Sequence, residues 1–206
     1  MKARGRVVLQ SPEAVKGLAH RRRHTLEDYL DVEEMSPAVR HEFVNGEILA
    51  IAGGSVEHSA LATTFCGLLF AHLRGSTCHV HSSDLRIRIP EANVSTYADA
   101  AVVCDPVERD SQSATHVTNP RLVVEVLSES TEQYDREEKR LYYQLLPSLE
   151  EYVLVAQDKR KIEVWSRAAG TWSHAAYEAG TRVRLGSIEF ELHVDELYTA
   201  AGVRVA

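Results

Sequence analysis

Two acidic residues stand inside strongly apolar segments of the chain. Glu125 lies in the middle of segment 122–127 (LVVEVL), and Asp99 lies in segment 97–103 (YADAAVV). Burying an unpaired carboxylate is costly, so a buried acid normally pairs with a cation, binds a metal ion or becomes protonated. We therefore take Glu125 and Asp99 as the first candidates for chemistry.

If the two segments are neighbouring strands, both carboxylates lie at one edge of a sheet. Two adjacent carboxylates repel each other and shift each other's pKa unless a cation joins them. A few oxygen ligands with open coordination positions suit Mg²⁺ or Mn²⁺. The alternative is structural, because an arginine or a backbone cap could hold either acid without any function.

The surrounding sequence predicts an α+β (mixed α/β) fold rather than a doubly wound sheet. Two helices are indicated over 56–74, capped by Ser55, and over 132–146, stopped by Pro147. Residues 42–51 contain an Asn-Gly pair between alternating apolar runs, which predicts a β-hairpin. Further strands are predicted at 78–81, 85–89, 97–104, 122–127, 151–156, 161–165, 171–177 and 188–192.

Two of these elements carry predictions that bear on the acids. Segment 122–127 is apolar on both faces, as in a central strand, and strand alternation places Glu125 on one face with Val123 and Leu127. Glu125 is therefore predicted to be buried. On the second helix, the predicted apolar side consists of Tyr134, Leu141, Tyr142 and Leu145.

The distribution of charge along the chain limits the functions that the protein can have. The 206 residues carry a net charge of −7, but residues 1–24 contain seven Lys or Arg and one acid, whereas residues 25–206 contain 16 basic and 29 acidic residues. The sequence predicts a basic, mobile leader over 1–24 and one domain over 25–206. An acidic body argues against non-specific nucleic-acid binding as the main activity. Any attraction of DNA would depend on the leader and on Arg86, Arg88 and Arg121.

Membrane, secretory and cysteine patterns in the sequence predict the cellular compartment of the protein. No apolar run approaches the roughly 20 residues of a membrane helix, and the N-terminus lacks the apolar stretch of a secretory signal. Cys66, Cys78 and Cys104 are scattered in apolar neighbourhoods, which predicts a reducing cytoplasm. Cys104 is interpreted as a small buried hydrophobic residue rather than a nucleophile.

The order of several motifs resembles a known family. The chain carries EFVNGEI at 42–48, a helix beginning near Glu57-His58, ADAAVVCD at 98–105, NPRLVVEVLSEST at 119–131, Asp135 with Lys139 and Tyr142 or Tyr143, and EYVLV at 151–155. This order closely resembles the Uma-type putative restriction endonuclease family of the P-D-(D/E)-x-K nuclease-like superfamily. The resemblance extends over about residues 25–195 and leaves the basic leader outside.

The resemblance implies a restriction-endonuclease-like core of helix, three strands, helix and strand, preceded by the hairpin and followed by extra strands. It also implies that Asp99 and Glu125 are the metal-binding acids of the motif. The cofactor would be Mg²⁺ or Mn²⁺, and the substrate would be DNA.

The chain departs from the superfamily pattern in two places. Ala98 replaces the proline before the first acid, and Leu127 occupies the position of the motif lysine. The resemblance implies that Lys139, on the second helix, supplies a migrated lysine. The alternative is that Asp135 and Lys139 form an i, i+4 pair on a solvated helix face.

Two further candidates, Glu42 and His58, follow from the same resemblance. Glu42 matches the acid before the Asn-Gly turn and would serve as a third metal ligand or as an orienting acid. His58 matches a histidine at the start of the first long helix, where the helix N-terminus is expected to lower its pKa and keep it neutral. For both residues, a surface or capping role is the alternative.

Three functions stay open at this level. The leading hypothesis is a Mg²⁺-dependent endonuclease that hydrolyses DNA phosphodiester bonds. The first alternative is a non-catalytic binding or regulatory protein that retains the nuclease-like fold, and the second is an enzyme acting on a small nucleotide. The strands after residue 160 offer edges at which a homodimer could form, and no membrane association is expected.

Overall fold

The computed structural model describes residues 23–205, so the predicted leader lies outside the described residues except for Arg23 and His24. The helices are α1 (Leu26–Met35), α2 (Val56–His72), α3 (132–144) and α4 (Val194–Ala200). The strands are β1 (His41–Val44), β2 (Glu47–Ala50), β3 (Cys78–Ser82), β4 (Arg86–Ile89), β5 (Val94–Tyr97), β6 (Ala100–Cys104), β7 (His116–Val117), β8 (Pro120–Val126), β9 (Glu151–Val155), β10 (Lys161–Ala168), β11 (Thr171–Glu178), β12 (Arg182–Leu185) and β13 (Phe190–His193).

The larger sheet has the strand order β11-β10-β9-β8-β6-β3, in which β8 and β9 are parallel and the other pairs antiparallel. Helices α2 and α3 cover its two faces. Val124 and Val126 of β8 pack with Phe65 of α2, whereas Val123 packs with Tyr143 of α3. Along the chain, α2, β3, β6, β8, α3 and β9 follow in the predicted order of helix, three strands, helix and strand. The mixed α+β prediction is confirmed.

The smaller sheet has the order β2-β1-β5-β4-β7. The predicted hairpin is present as β1 and β2, joined at Asn45 and Gly46, whose positive φ angles of 47° and 93° suit this residue pair. Ile87 and Val94 of this sheet share a core with Val123 of β8. The two sheets therefore meet over the face of β8 that carries Glu125.

Residues 97–104, predicted as one strand, belong to two strands in different sheets. β5 ends at Tyr97 in the smaller sheet, and β6 begins at Ala100 in the larger sheet. The chain crosses between the sheets at Ala98 and Asp99, where the small, buried Ala98 allows close passage. Asp99 therefore lies at the junction of two strands rather than inside one, and its carboxylate is free to turn toward the end of β8.

The buried side of α3 differs from the prediction. The segment is α-helical over Glu132–Tyr134, π-helical over Asp135–Lys139 and α-helical again over Arg140–Gln144. A π-helical stretch holds one extra residue per turn and shifts the faces that follow it. Tyr143 and Leu146 are therefore buried, whereas the predicted core residues Leu141 and Leu145 are exposed.

The cysteine prediction also needs correction. Cys78 of β3 and Cys104 of β6 lie directly opposite each other and form a disulfide, while Cys66 is free and half-buried. Cys104 is therefore not an isolated buried thiol, because the register of the two strands brings Cys78 beside it. Within residues 23–205, no helix is both long and apolar enough to span a membrane.

Candidate functional site

Glu125 lies near the end of β8, between the two sheets. The residue is 4% exposed, and its Oε1 accepts a hydrogen bond from the Tyr143 hydroxyl at 3.3 Å. Burial raises the pKa of Glu125 well above its usual range, and the nearby Lys139 ammonium opposes that rise. The burial predicted from the apolar segment is present, together with specific polar partners.

Lys139 is the cation at the centre of the cluster. Its Nζ lies 3.0 Å from Glu125 Oε1, 3.1 Å from Glu42 Oε1 and 3.8 Å from Asp135 Oδ1. The residue is 7% exposed, so the solvated-face interpretation of Lys139 was wrong. The π-helical stretch turns both Asp135 and Lys139 toward the sheet.

Glu42 reaches the cluster from β1. Its Oε1 accepts a hydrogen bond from the Thr96 hydroxyl of β5 and contacts Lys139. Register explains this position, because β1 pairs with β5 and alternate residues of β1 face the larger sheet. Glu42 is buried beside Lys139, so the plain surface role does not apply to it.

His58 and Asp99 form a pair at the more open side of the cluster. His58 Nε2 lies 3.1 Å from Asp99 Oδ2, and the same oxygen accepts a hydrogen bond from the Val126 backbone N–H at 2.7 Å. Side-chain exposures are 19% for His58 and 17% for Asp99, against 5% for Glu125. The cluster therefore opens to solvent at this pair.

The expected lowering of the His58 pKa was wrong. The hydrogen bond to Asp99 raises the pKa of His58, and this effect exceeds the opposing effect of burial. Although Ser55 caps α2 at His58 N, the adjacent carboxylate outweighs the helix N-terminus. His58 therefore holds a proton more readily than a free histidine does.

Three residues of the cluster were not among the sequence candidates. Asp135 is buried and accepts a hydrogen bond from the Thr131 hydroxyl at 2.7 Å. Tyr143 contacts Glu125, and the buried hydroxyl of Tyr134 has no hydrogen-bond partner in the described part of the chain. A signal was available for two of them, since Asp135 and Tyr143 each stand four residues from Lys139.

The cluster is richer in acids than in cations. Glu42, Glu125 and Asp135 surround Lys139, and Asp99 lies with His58 at the rim. Burial raises the pKa of Asp135 as well as that of Glu125, despite the opposing effect of Lys139. A buried excess of negative charge favours either bound protons or an additional cation.

The oxygen donors fit a hard divalent cation. Asp99 and Glu125 offer carboxylate oxygens near the end of β8, and Mg²⁺ commonly takes one or two protein carboxylates while keeping several waters. Within 23–205, no group of three or more His, Cys, Asp or Glu side chains is placed to hold a metal ion. The protein would therefore supply only part of the coordination shell.

The three arginines expected to attract DNA each have a partner within the protein. Arg86 pairs with the buried Glu33 at 3.0 Å, and Arg121 pairs with Glu150 at 2.8 Å. Arg88 is buried and donates to the Val94 carbonyl at 2.8 Å. Arg88 is therefore enclosed in the protein, whereas the side chains of Arg86 and Arg121 are 27% and 39% exposed beside their acidic partners.

Comparison with known proteins gives a matching family model and similar individual proteins. A family model described as "Uma2: Putative restriction endonuclease" matches residues 26–195. Two proteins of Synechocystis sp., slr1290 and sll1609, are 39% and 33% identical to the chain; the first alignment covers 84% of this chain and 90% of that protein, and the second 69% and 80%.

A solved structure is also similar. It is a protein from Anabaena variabilis described as a putative nuclease belonging to DUF820, with a TM-score of 0.71 at 18% identity over 86% of this chain and 98% of that one. This likeness concerns the fold, and it agrees with the predicted restriction-endonuclease-like architecture.

Proposed function

Because the chain belongs to the Uma2 family of putative restriction endonucleases, we propose that it is a Mg²⁺-dependent endonuclease that hydrolyses phosphodiester bonds in DNA. The observation that carries this proposal is that Glu125 of a central strand pairs with Lys139 of a helix, while the N–H of the next residue, Val126, holds Asp99 of the strand junction beside them. Asp99 and Glu125 would hold the metal ion. Glu42 and His58 complete the group of catalytic candidates.

When bound, a divalent ion lowers the pKa of a coordinated water and stabilises negative charge on a scissile phosphate. Neighbouring groups of the protein hold the two proposed ligands, Asp99 and Glu125, in place. The Val126 N–H and His58 orient Asp99, and the Tyr143 hydroxyl and Lys139 orient Glu125. Such preorganisation reduces the rearrangement needed when substrate binds.

Lys139 acts in this proposal as a charged donor rather than as a base. Burial lowers the pKa of Lys139, but the attraction of Glu125 and Glu42 outweighs burial and holds that pKa well above its usual range. The ammonium therefore stays protonated, and in the proposal it contributes positive charge beside the scissile phosphate. Glu42 and Asp135 hold it in place.

His58 is proposed to move a proton at the open side of the site. Its Nε2 hydrogen-bonds to Asp99, which favours the protonated ring. A protonated imidazole at the rim can donate to the oxygen that leaves after phosphodiester cleavage. His58 and Lys139 thus have separate roles, the first beside Asp99 and the second beside Glu125.

One observation favours a second candidate function, a binding or regulatory protein without catalysis. Lys139 already neutralises part of the charge of Glu125 and Glu42, and the described residues hold no group of three or more metal-ligating side chains. In that case the ion pairs would be permanent and structural. The two functions differ in whether a divalent cation binds at Asp99 and Glu125.

The test compares cleavage of plasmid and single-stranded DNA in Mg²⁺ by wild type, Asp99→Asn, Glu125→Gln and the matched control Glu163→Gln. Glu163 is a buried carboxylate on β10 whose partners lie outside the site. We expect the first two variants to lose about 100-fold or more in rate and the control to keep most of it.

Calorimetric titration with Mn²⁺ on the same proteins separates the candidates. Wild-type binding that Asp99→Asn weakens supports the metal site. Absence of both cleavage and Mn²⁺ binding in wild type would favour the non-catalytic function, and turnover of a nucleotide panel without DNA cleavage would redirect the proposal to small substrates.

A further inference from the structure

Helix α2 has two apolar faces, and only one of them is covered. Leu61, Phe65 and Leu69 pack against the larger sheet. On the opposite side, Val56 is 81% exposed and Phe70 is 65% exposed. A helix on the surface of a soluble protein normally turns a charged face outward, so this face of α2 is unusual.

The outer side forms a narrow outer stripe, defined here as Val56, Ala60, Thr63, Gly67 and Phe70, of which Ala60 is partly buried and the other four are exposed. At 100° per residue these five positions fall within about 80° of arc, and their spacing of four and three residues is that of a helix-packing seam. Glu57 is the only Asp, Glu, Lys or Arg in the 17 residues of α2. The stripe is thus suited to contact with another helix.

The two ends of the outer stripe are equally distant from Thr63. Val56 and Phe70 each stand seven residues from Thr63, and the small Ala60 and Gly67 lie between. If a second α2 packed antiparallel with Thr63 at the twofold axis, Val56 of one copy would meet Phe70 of the other. Small residues at the centre would let the two helix axes approach closely.

A groove lies at the Val56 end of the stripe, where Phe70 of the second copy would arrive. It has a volume of about 520 Å³ and runs between the first half of α2 and the end of α4 at Ala200 and Ala201. The same face therefore carries both a protruding aromatic ring and a groove to receive it. Such self-complementarity is the property of a twofold interface.

The charges at the two ends of α2 point to the same partner. Glu57 lies in the first turn and Arg74 lies just beyond the last, and both are exposed. Within the described chain neither forms an ion pair with another residue. Antiparallel pairing brings Glu57 of each copy near Arg74 of the other, whereas the basic residues 1–24 would find a single acid on this face.

We propose that α2 packs antiparallel against α2 of a second copy of this chain, forming a twofold homodimer through the outer stripe. Because α2 begins beside His58, the contact would fix the positions of two candidate sites relative to each other. The proposal is independent of the proposed function, since it is tested by molecular mass rather than by cleavage.

The first test is sedimentation equilibrium of the full chain. Wild type is expected at twice the 23.0 kDa chain mass, and Phe70→Glu and Gly67→Glu are expected at the single mass. No atom lies within 4 Å of a Cβ at Gly67, so glutamate there does not disturb the fold. The matched control is Leu141→Glu on α3, whose residue is 54% exposed but lies outside the stripe, and circular dichroism verifies folding.

The second test is a charge exchange across the interface. Glu57→Lys and Arg74→Glu are each expected to weaken dimerisation about twofold to fivefold, and the double variant is expected to restore it. A wild-type monomer at every concentration, a dimer unaffected by Phe70→Glu, or a double variant no better than the single ones would overturn the proposal.

Discussion

Two buried carboxylates lie in one row across the larger sheet, and their surroundings are opposite. Glu125 of β8 and Glu163 of β10 both stand beside Leu154 of β9. Glu125 shares Lys139 with Glu42 and Asp135, so acids outnumber cations. Glu163, by contrast, receives three cationic or hydrogen-bonding partners, which are Arg136, Lys161 and His174.

The pKa values follow this difference. Burial would raise the pKa of Glu163, but hydrogen bonds from Arg136, Lys161 and His174 lower it to about 2. Burial raises the pKa of Glu125 well above its usual range, and Lys139 offsets it only in part. Glu163, whose charge is balanced by neighbouring cations, stabilises the fold. Glu125, whose charge is balanced only in part, can accept a further cation.

The strongest test of this difference between the two clusters is to remove one lysine from each. Lys139→Met leaves Glu42, Glu125 and Asp135 without their central cation, so we expect a loss of about 3–5 kcal/mol in unfolding free energy. Lys161→Met leaves Glu163 with Arg136 and His174, and we expect a loss below about 1 kcal/mol. Urea unfolding in EDTA measures both.

Addition of Mg²⁺ is expected to affect the stability of these two variants differently. We expect Mg²⁺ to recover part of the stability lost in Lys139→Met and to leave Lys161→Met unchanged. Equal losses in the two variants would show that charge excess does not distinguish the clusters.

The second comparison removes the acids themselves. Glu163→Gln removes the acceptor of three partners, and we expect a loss of about 1–3 kcal/mol at pH 7. Glu125→Gln removes a charge that burial disfavours, and we expect equal or greater stability at pH 7. Thermal unfolding of both variants beside wild type gives the sign of each change in stability. A larger loss for Glu125→Gln than for Glu163→Gln would mean that Glu125, rather than Glu163, is the carboxylate that stabilises the fold.

The effect of Glu163→Gln depends on pH in a definite direction. Because the pKa of Glu163 is lowered from 4.5 to about 2 on folding, its contribution to stability is complete above about pH 4.5 and disappears as pH falls toward 2. We therefore expect the difference between wild type and Glu163→Gln to narrow across that interval. A constant difference from pH 7 to pH 2 would mean that packing rather than charge carries the effect.

The smallest expected effect concerns the hydrogen bond to Glu125. Tyr143→Phe removes the hydroxyl that donates to Glu125 Oε1 but keeps the buried ring beside Tyr152. We expect a loss of about 0.5–1.5 kcal/mol in unfolding free energy. Chemical denaturation measures it, and Tyr142→Phe, which removes an exposed hydroxyl contact with Glu138, is the matched control.

The acids of the site could be predicted because their types conflict with their neighbourhoods. Glu125 and Asp99 are the two carboxylates within apolar segments, and no knowledge of the fold is needed to see that conflict. Lys139 required the family resemblance, because charged residues on a helix usually face solvent. Its burial depends on contacts with Glu42 and Glu125, which are distant in sequence.

Other features were outside the reach of sequence patterns. Periodicity assumes 3.6 residues per turn, so it assigned Leu141 and Leu145 to the core and missed the π-helical stretch. Strand alternation continues through Ala98, so the crossing between sheets was invisible. The disulfide depends on a register that pairs Cys78 with Cys104, and 26 residues separate them in sequence.

The π-helical stretch at 135–139 also limits how the chain length can change. A further residue inserted there would rotate everything after it by about 100°, because the stretch already accommodates one extra residue. Tyr143 and Leu146 would then leave the core, and Lys139 would turn away from Glu125. A hairpin turn such as Ala169-Gly170 lies between exposed strand ends and accommodates an inserted residue easily. Variation in length among related chains is therefore expected at such turns and not between β8 and Tyr143.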